Sequence, residues 1–251
     1  MPKLNQGDTT IPGSGSFTFS YVAPEHLQEL SYTVVTIALD VSTSVDSYSN
    51  ELLSCIQNII RTCRRSPKAE NILIRVVYFS SSLKEAHGFK LLKDINEDSD
   101  YTIDCSGITA LYNTFFENIN AAVNYSNILV QQDFDVNIVN FVVTDGGDNA
   151  STVEPSDIKD LIETVNKSEE FDSVTNVLVG IGTDNPSLEQ TLRNFQQAAG
   201  ISQFVPIGNA TPADLAKLGI ILSKSISIVS QSLGTGQKPV LNNDPSSILV
   251  F

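Results

Sequence analysis

Apolar residues are gathered into five runs, at 33–39, 72–79, 136–144, 174–181 and 203–207. Each is strand-length and nearly unbroken, as in "ILIRVVYF" at 72–79, which suits strands buried on both faces. Between them the apolar period changes from continuous to three-and-four. Tyr48, Leu52, Ile56, Ile59, Ile60 and Cys63 mark a helix over about 47–65, with Asp46 or Ser47 at its start, arginines at its end and Pro67 beyond. Leu111, Phe115, Ile119 and Ala122 mark a second over 110–130. Further helices are predicted from Pro155 to about 168, over 186–199 with Gly200 closing it, and over 212–233.

Strands alternating with helices predict an α/β fold: a Rossmann-like, doubly wound, mostly parallel sheet with helices on both faces. A short run at 85–89 is expected to add one short antiparallel edge strand, with His87 in a structural role. The domain proper is expected over 31–233. Residues 1–30 are predicted as an N-terminal arm, Gly/Pro-rich up to 15 and possessing one added strand at 16–22, and residues 234–251 as a tail ending on "ILVF".

Charge narrows the function. With 15 Lys and Arg against 29 Asp and Glu, the net charge is −14. Nucleic acid and anionic lipid are poor partners for such a chain, whereas cations are attracted to it. Three cysteines do not form a disulfide framework, and Cys55 and Cys63 stand about 12 Å apart along one predicted helix. No apolar leader opens the sequence, which predicts an intracellular, cytoplasmic location, or a virion-associated one for a phage product.

Ligands in open α/β sheets bind beyond the carboxyl ends of the strands. Three polar segments fall there. Asp40-Val41-Ser42-Thr43-Ser44 follows the first core run, Thr109 in "CSGITAL" precedes the second helix, and Asp145 in "VVTDGGDN" follows a later run. Two carboxylates and three hydroxyls make an oxygen-only donor set, suited to Mg²⁺, Mn²⁺ or Ca²⁺. Helix capping alone explains any one segment but does not require all three spacings. "DINEDSDYTIDC", 94–105, approximates a calcium loop, yet has Ser99 where the turn glycine belongs and Cys105 where the bidentate Glu belongs; it reads as a solvated acidic loop.

Asp-x-Ser-x-Ser, then a Thr about 65 residues on, then an Asp at a later strand end, resembles the metal-ion-dependent adhesion site of von Willebrand factor A domains. The resemblance covers roughly residues 30–232. It implies that the Ser42, Ser44 and Thr109 hydroxyls ligate metal, with Asp40 and Asp145 acting directly or through water. "FVVTDGGDNAS" looks like a stretch of many prokaryotic members, so a stand-alone bacterial or phage protein is implied. Thr43, Val45 and Ile108 depart from the residues common in that family. The function expected is metal-dependent protein binding, in which a partner's Asp or Glu completes the coordination and no bond is broken, so no enzyme activity is expected. The alternative is a structural subunit of a virion or surface assembly, held by its terminal arms, with oligomers possible. A haloacid-dehalogenase-like phosphatase fits less well: Asp145 and Asp148 mimic its late acidic pair, but its general acid two residues after the nucleophile is here Ser42. A glycine-free first turn and only two histidines, His26 and His87, disfavour nucleotide binding and Ser–His hydrolysis.

Overall fold

The computed structural model describes residues 4–233, together with 235 and 239. Thirteen regular elements follow one another: β1 (Asn5–Ile11), β2 (Gly15–Tyr21), β3 (Ser31–Asp40), α1 (Ser49–Cys63), β4 (Ile72–Phe79), β5 (Leu83–Leu91), α2 (Leu111–Val130), β6 (Asp135–Thr144), α3 (Pro155–Ser168), β7 (Ser173–Ile181), α4 (Pro186–Ala198), β8 (Gln203–Ile207) and α5 (Pro212–Ser232). The strands form one sheet in the order β1-β2-β5-β4-β3-β6-β7-β8. Pairing from β4 through β3, β6 and β7 to β8 is parallel, as the unbroken apolar runs predict. This is the Rossmann-like α/β architecture expected from the sequence.

One face of the sheet carries a continuous apolar layer. Val35, Ile37, Leu39, Ile74, Val76, Val139 and Phe141 pack there under α1 and α5. The other face, under α2, α3 and α4, is divided. Ala38, Val77, Val142 and Leu178 form one cluster, and Val34, Leu73 and Ile138 belong to a second. Between them runs a buried polar row in sheet register: Arg75 beside Thr36, Thr36 beside Asn140, Asn140 beside Asn176. Thr36, Asn140 and Asn176 are bonded to one another, and Asn118 of α2 joins Arg75 to them. Thr36 Oγ1 and Asn118 Nδ2 donate to Asn140 Oδ1 at 2.8 and 3.0 Å, and Asn140 Nδ2 donates to Asn176 Oδ1 at 3.3 Å.

Arg75 is wholly buried at one end of this row. Its Nη1 and Nη2 grip Glu117 of α2 at 3.1 and 2.9 Å, and its Nε donates to Glu85 of β5 at 2.8 Å. Burial raises the pKa of the Glu117 carboxyl, and the guanidinium opposes that rise. Two-point contact with a planar guanidinium is the strong form of such a pair.

The N-terminal segment differs from its expected form. Residues 5–11 form a strand rather than a loop, and β5 runs antiparallel to β4 but is longer than expected and lies inside the sheet. Pro12 and Gly13 (φ +73°) turn the chain, with Ser14 N donating to Ile11 O at 3.0 Å, the arrangement of a type II turn. The hairpin meets β5 at only one ladder pair, Tyr21 with Phe89. Side chains do the rest. Glu85 accepts from Ser20 N at 3.2 Å and from its hydroxyl, and Tyr125 donates to Val22 O at 2.9 Å. Phe19, Tyr21, Phe89 and Tyr125 stack beneath. Gly88 permits the contact, since a Cβ there would lie 2.1 Å from Ser20 O.

The acidic loop at 94–105 is not simply solvated. Glu97 and Asp98 pair with Arg61 and Arg64 at the end of α1, and Asp100 pairs with Lys90. His87 is buried in β5, its Nδ1 on the Gly88 carbonyl and its Nε2 on the Tyr101 hydroxyl, both at 2.8 Å. Cys55, Cys63 and Cys105 are free thiols. No helix among the described residues is long and apolar enough to cross a membrane. Most of the tail at 234–251, including "ILVF", lies outside the described residues.

Candidate metal centre

β3 and β6 are parallel neighbours, so their carboxyl ends emerge side by side. Asp40 ends β3 and Thr144 ends β6, with Asp145 next in the chain. The Asp40 carboxylate is buried and held at two points: Ser42 N donates to Oδ1 at 2.8 Å and Thr144 Oγ1 to Oδ2 at 2.7 Å. Burial raises its pKa, Thr144 and Ser42 oppose that, and Asp145 adds to it.

The bond from the Ser42 amide draws the chain into a tight turn. Val45 N reaches back to Ser42 O at 3.1 Å, and residues Thr43–Tyr48 form a 3₁₀ segment rather than the first turn of α1. The predicted start of that helix at 47, with Asp46 or Ser47 as cap, is thereby displaced: α1 begins at Ser49, and its N-cap, Tyr48, makes no side-chain cap bond. The turn keeps Ser42 and Ser44 on one rim, their hydroxyls 3.1 Å apart. Ser44 Oγ then donates to Asp145 Oδ1 at 2.8 Å, joining the first segment to the third.

Thr109 enters from the second segment. Its N–H donates to Asn149 Oδ1 at 2.8 Å and its carbonyl accepts from Asn149 N at 3.0 Å. The buried Thr109 side chain faces Gly146, where a Cβ would stand 3.7 Å from Oγ1. Gly107 (φ +82°) brings its carbonyl to Thr43 N at 3.2 Å, so the second segment also touches the first. The structure therefore assembles all five expected residues, Asp40, Ser42, Ser44, Thr109 and Asp145, on one rim. Four are linked by direct hydrogen bonds; Thr109 is fixed through its backbone.

Three features of the site were not foreseen. Thr144 locks Asp40. Asp148 and Asn149 hold the 108–113 segment, since α2 begins after Ala110 with no side-chain cap of its own. Asp148 Oδ1 accepts from Tyr112 N at 3.2 Å, Ser151 Oγ from Asn113 N at 3.0 Å, and Asn113 Oδ1 returns to Thr152 N and Val153 N at 3.0 Å each. The "TDGGDNAS" stretch is thus a clamp on the start of α2, and the missing local cap is the signal that such a clamp is needed. Tyr48 is the third: its phenol lies beside Asp145 and Asp40, and burial followed by those charges pushes its pKa well above the usual range.

The chemistry of the rim is oxygen-only. Among the described residues no Lys or Arg is paired with Asp40 or Asp145. No cluster of three or more His, Cys, Asp or Glu able to hold a metal occurs among them either. Cys105 stands near, half-buried, and burial together with Asp46, Asp104, Asp40 and Asp145 raises its pKa and keeps it a protonated thiol. Two carboxylates, three neutral hydroxyls and no thiolate fit a hard divalent ion that retains water.

The chain has a von Willebrand factor A-like fold. No protein-family model and no curated protein matches the sequence. Solved structures do. The SpaC pilus adhesin of Lactobacillus rhamnosus GG, in its open conformation, is similar over 80% of this chain and 30% of its own, at 10% identity and a TM-score of 0.57. A single-residue variant of the PilB minor pilin of Streptococcus sanguinis is similar over 84% of this chain and 64% of its own, at 14% identity and a TM-score of 0.52. Proximal thread matrix protein 1 from the mussel byssus is similar over 78% of this chain and 46% of its own, at 17% identity and a TM-score of 0.51. The chain spans less than two thirds of the length of each, and at these identities the likeness is one of fold.

Proposed function

We propose that this protein is a metal-dependent protein-binding module. The observation that carries the reading is the rim itself: two carboxylates and three hydroxyls on adjoining loops, four of the five residues already hydrogen-bonded to one another, with no basic side chain among the described residues paired to them. Asp40, Ser42, Ser44, Thr109 and Asp145 would hold Mg²⁺, Mn²⁺ or Ca²⁺. A divalent ion held there offers a coordination position to an incoming carboxylate. Asp40, fixed by Ser42 N and Thr144, supplies charge without moving. Ser44 orients Asp145, and the Asn149 clamp holds Thr109 in place. Ile108, 52% exposed immediately before Thr109, gives the partner an apolar contact beside its acidic residue. The partner is then a protein presenting Asp or Glu on a projecting loop. The similar structures include a pilus adhesin and a minor pilin, which supports protein binding as the general role. Nothing in this mechanism breaks a bond, so the reading is of a binder and not an enzyme.

The test is calorimetric titration of chelator-treated protein with Mg²⁺ and Mn²⁺, wild type beside Asp40→Ala. One saturable site is expected, weakened about a hundredfold or more by the substitution. Partner capture should be lost with chelator and lost in the variant, while circular dichroism stays that of a folded protein. Wild-type protein that binds neither ion, or a variant that binds them equally well, overturns the reading.

A further inference from the structure

The N-terminal hairpin turns at the same edge of the sheet as the cation rim. β4 is parallel to β3, β5 runs antiparallel to β4, and β2 pairs parallel with β5. β2 therefore starts at the edge where β3 ends on Asp40, and the Pro12–Gly13 turn stands there. The turn meets the stretch that follows Asp145. Thr152 Oγ1 donates to Pro12 O at 2.7 Å, and a Cβ on Gly13 would lie 3.1 Å from Thr152 Cβ. Ile11, just before the turn, is buried in the same apolar cluster as Val153 and Leu111. Residues 146–153 form neither helix nor strand, so their contacts place them. Among the described residues, their hydrogen bonds go to Thr144, to one another or to residues 109–113, with one exception: the bond from Thr152 to Pro12.

We propose that the hairpin turn is a positioning element of the cation site: Pro12, gripped by the Thr152 hydroxyl, fixes where Asn149 stands and so where the Thr109 hydroxyl meets the ion. The inference rests on the metal-binding reading above. Thr109 is the rim residue held through its backbone alone, and Asn149 holds it on both sides, accepting from its N–H and donating to its carbonyl. The stretch that carries Asn149 is tied to Thr144 of β6 at one end and to the hairpin at the other. Gly146 and Gly147 lie between β6 and Asn149 and give the backbone there its widest freedom. The tie at Thr152 limits that freedom. Thr152 is exposed, so cutting the tie costs ion affinity modestly, while Val153 and the start of α2 still anchor the stretch. The coupling is reciprocal: an ion that orders Thr109 also steadies the hairpin.

The test is calorimetric titration of chelator-treated proteins with Mn²⁺: wild type, Thr152→Val, Gly13→Ala, Asn149→Ala, and Asn149→Ala combined with Thr152→Val. All three positions are exposed, so the substitutions leave the core untouched. Thr152→Val removes the donor, and Gly13→Ala, at φ +73°, pushes the turn off Thr152 from the other side. Each of these two should bind Mn²⁺ roughly three- to tenfold more weakly than wild type. The combined variant should bind no more weakly than Asn149→Ala alone, because both changes reach Thr109 by one route. A hairpin that merely adds stability would shift the melting temperature and leave ion affinity alone. Wild-type affinity in Thr152→Val or in Asn149→Ala therefore overturns the inference and leaves the cation site standing. Wild-type affinity in Gly13→Ala also overturns it, since the Thr152 hydroxyl would then act without the hairpin, and so does a combined variant in which the two losses add. Wild type that binds no Mn²⁺ overturns the cation reading and this inference with it.

Discussion

Two clusters of carboxylates sit in this sheet, one in its interior and one at its rim. In the interior, Glu85 and Glu117 close on Arg75, and the guanidinium satisfies both. At the rim, among the described residues, Asp40 and Asp145 meet hydroxyls and a backbone amide. The first cluster carries its own cation and is finished by folding. The second has oxygen donors suited to a cation and, among the described residues, no paired basic side chain, which is why we propose that it is completed from outside. Buried carboxylates that close on a basic side chain of the same chain read as structural; carboxylates gathered at strand ends without one are candidates for binding something else.

The largest test of that contrast is Arg75→Met. It leaves Glu117 buried and unpaired, so a loss of about 3–5 kcal/mol in urea unfolding is expected, with little change in Mn²⁺ affinity per folded molecule. A loss under about 1 kcal/mol would break the comparison, because the interior carboxylates would then need no partner. Acidification comes next. His87 is held neutral: Nδ1–H donates to the Gly88 carbonyl and Nε2 accepts from Tyr101. Burial, with Lys90 and Arg75 adding to it against Asp100 and Gly88, pushes its pKa down to about 4. The unfolded chain therefore binds a proton that the folded one refuses between the ordinary histidine value near 6.5 and about 4. Stability from this group is complete above pH 6.5 and falls as pH drops through that window, by about 3 kcal/mol at its foot. His87→Gln should flatten that slope; an unchanged slope would show the imidazole is not its source. Smallest is Thr36→Val in the polar row. Asn140 Oδ1 keeps its bond from Asn118, so about 1 kcal/mol is expected in the same unfolding assay, against no change at all in ion affinity.

The sequence was informative where a residue's type and its place along the chain pointed the same way. Nearly unbroken apolar runs marked β3, β4, β6 and β7, because a strand covered on both faces carries few polar groups; the four in the buried row, Arg75, Thr36, Asn140 and Asn176, are exceptions held by partners. Asp40 and Asp145 were visible because carboxylates stood where those runs stopped. Thr109 stood out as a hydroxyl just ahead of a helix start, and the family resemblance then implied its role as a ligand. The β1 strand was hidden: "NQGDTTI" buries only Thr9 and Ile11, and it becomes a strand through a turn and a partner strand rather than through its own pattern. Tyr48 was hidden for a different reason. It fits the apolar stripe of α1, and nothing in the stripe says that the Ser42 turn takes it out of the helix and ends a 3₁₀ segment on it. The Arg75 pairings join residues 10 and 42 positions apart on three elements, a spacing with no local signature.

The fastening of the β1–β2 hairpin has a consequence for the order of folding. One ladder pair and a set of side chains hold it, and every group that does so comes later in the chain: Glu85, 65 residues beyond Ser20, and Tyr125, 103 beyond Val22. Contacts that close such long loops are slow to form. The hairpin is therefore the first part of the domain to leave the ribosome and among the last to dock. Until β5 and α2 exist, its aromatic underside of Phe19 and Tyr21 has nothing to cover it. A nascent chain halted before α2 is a natural client for a chaperone that reads exposed aromatic strands.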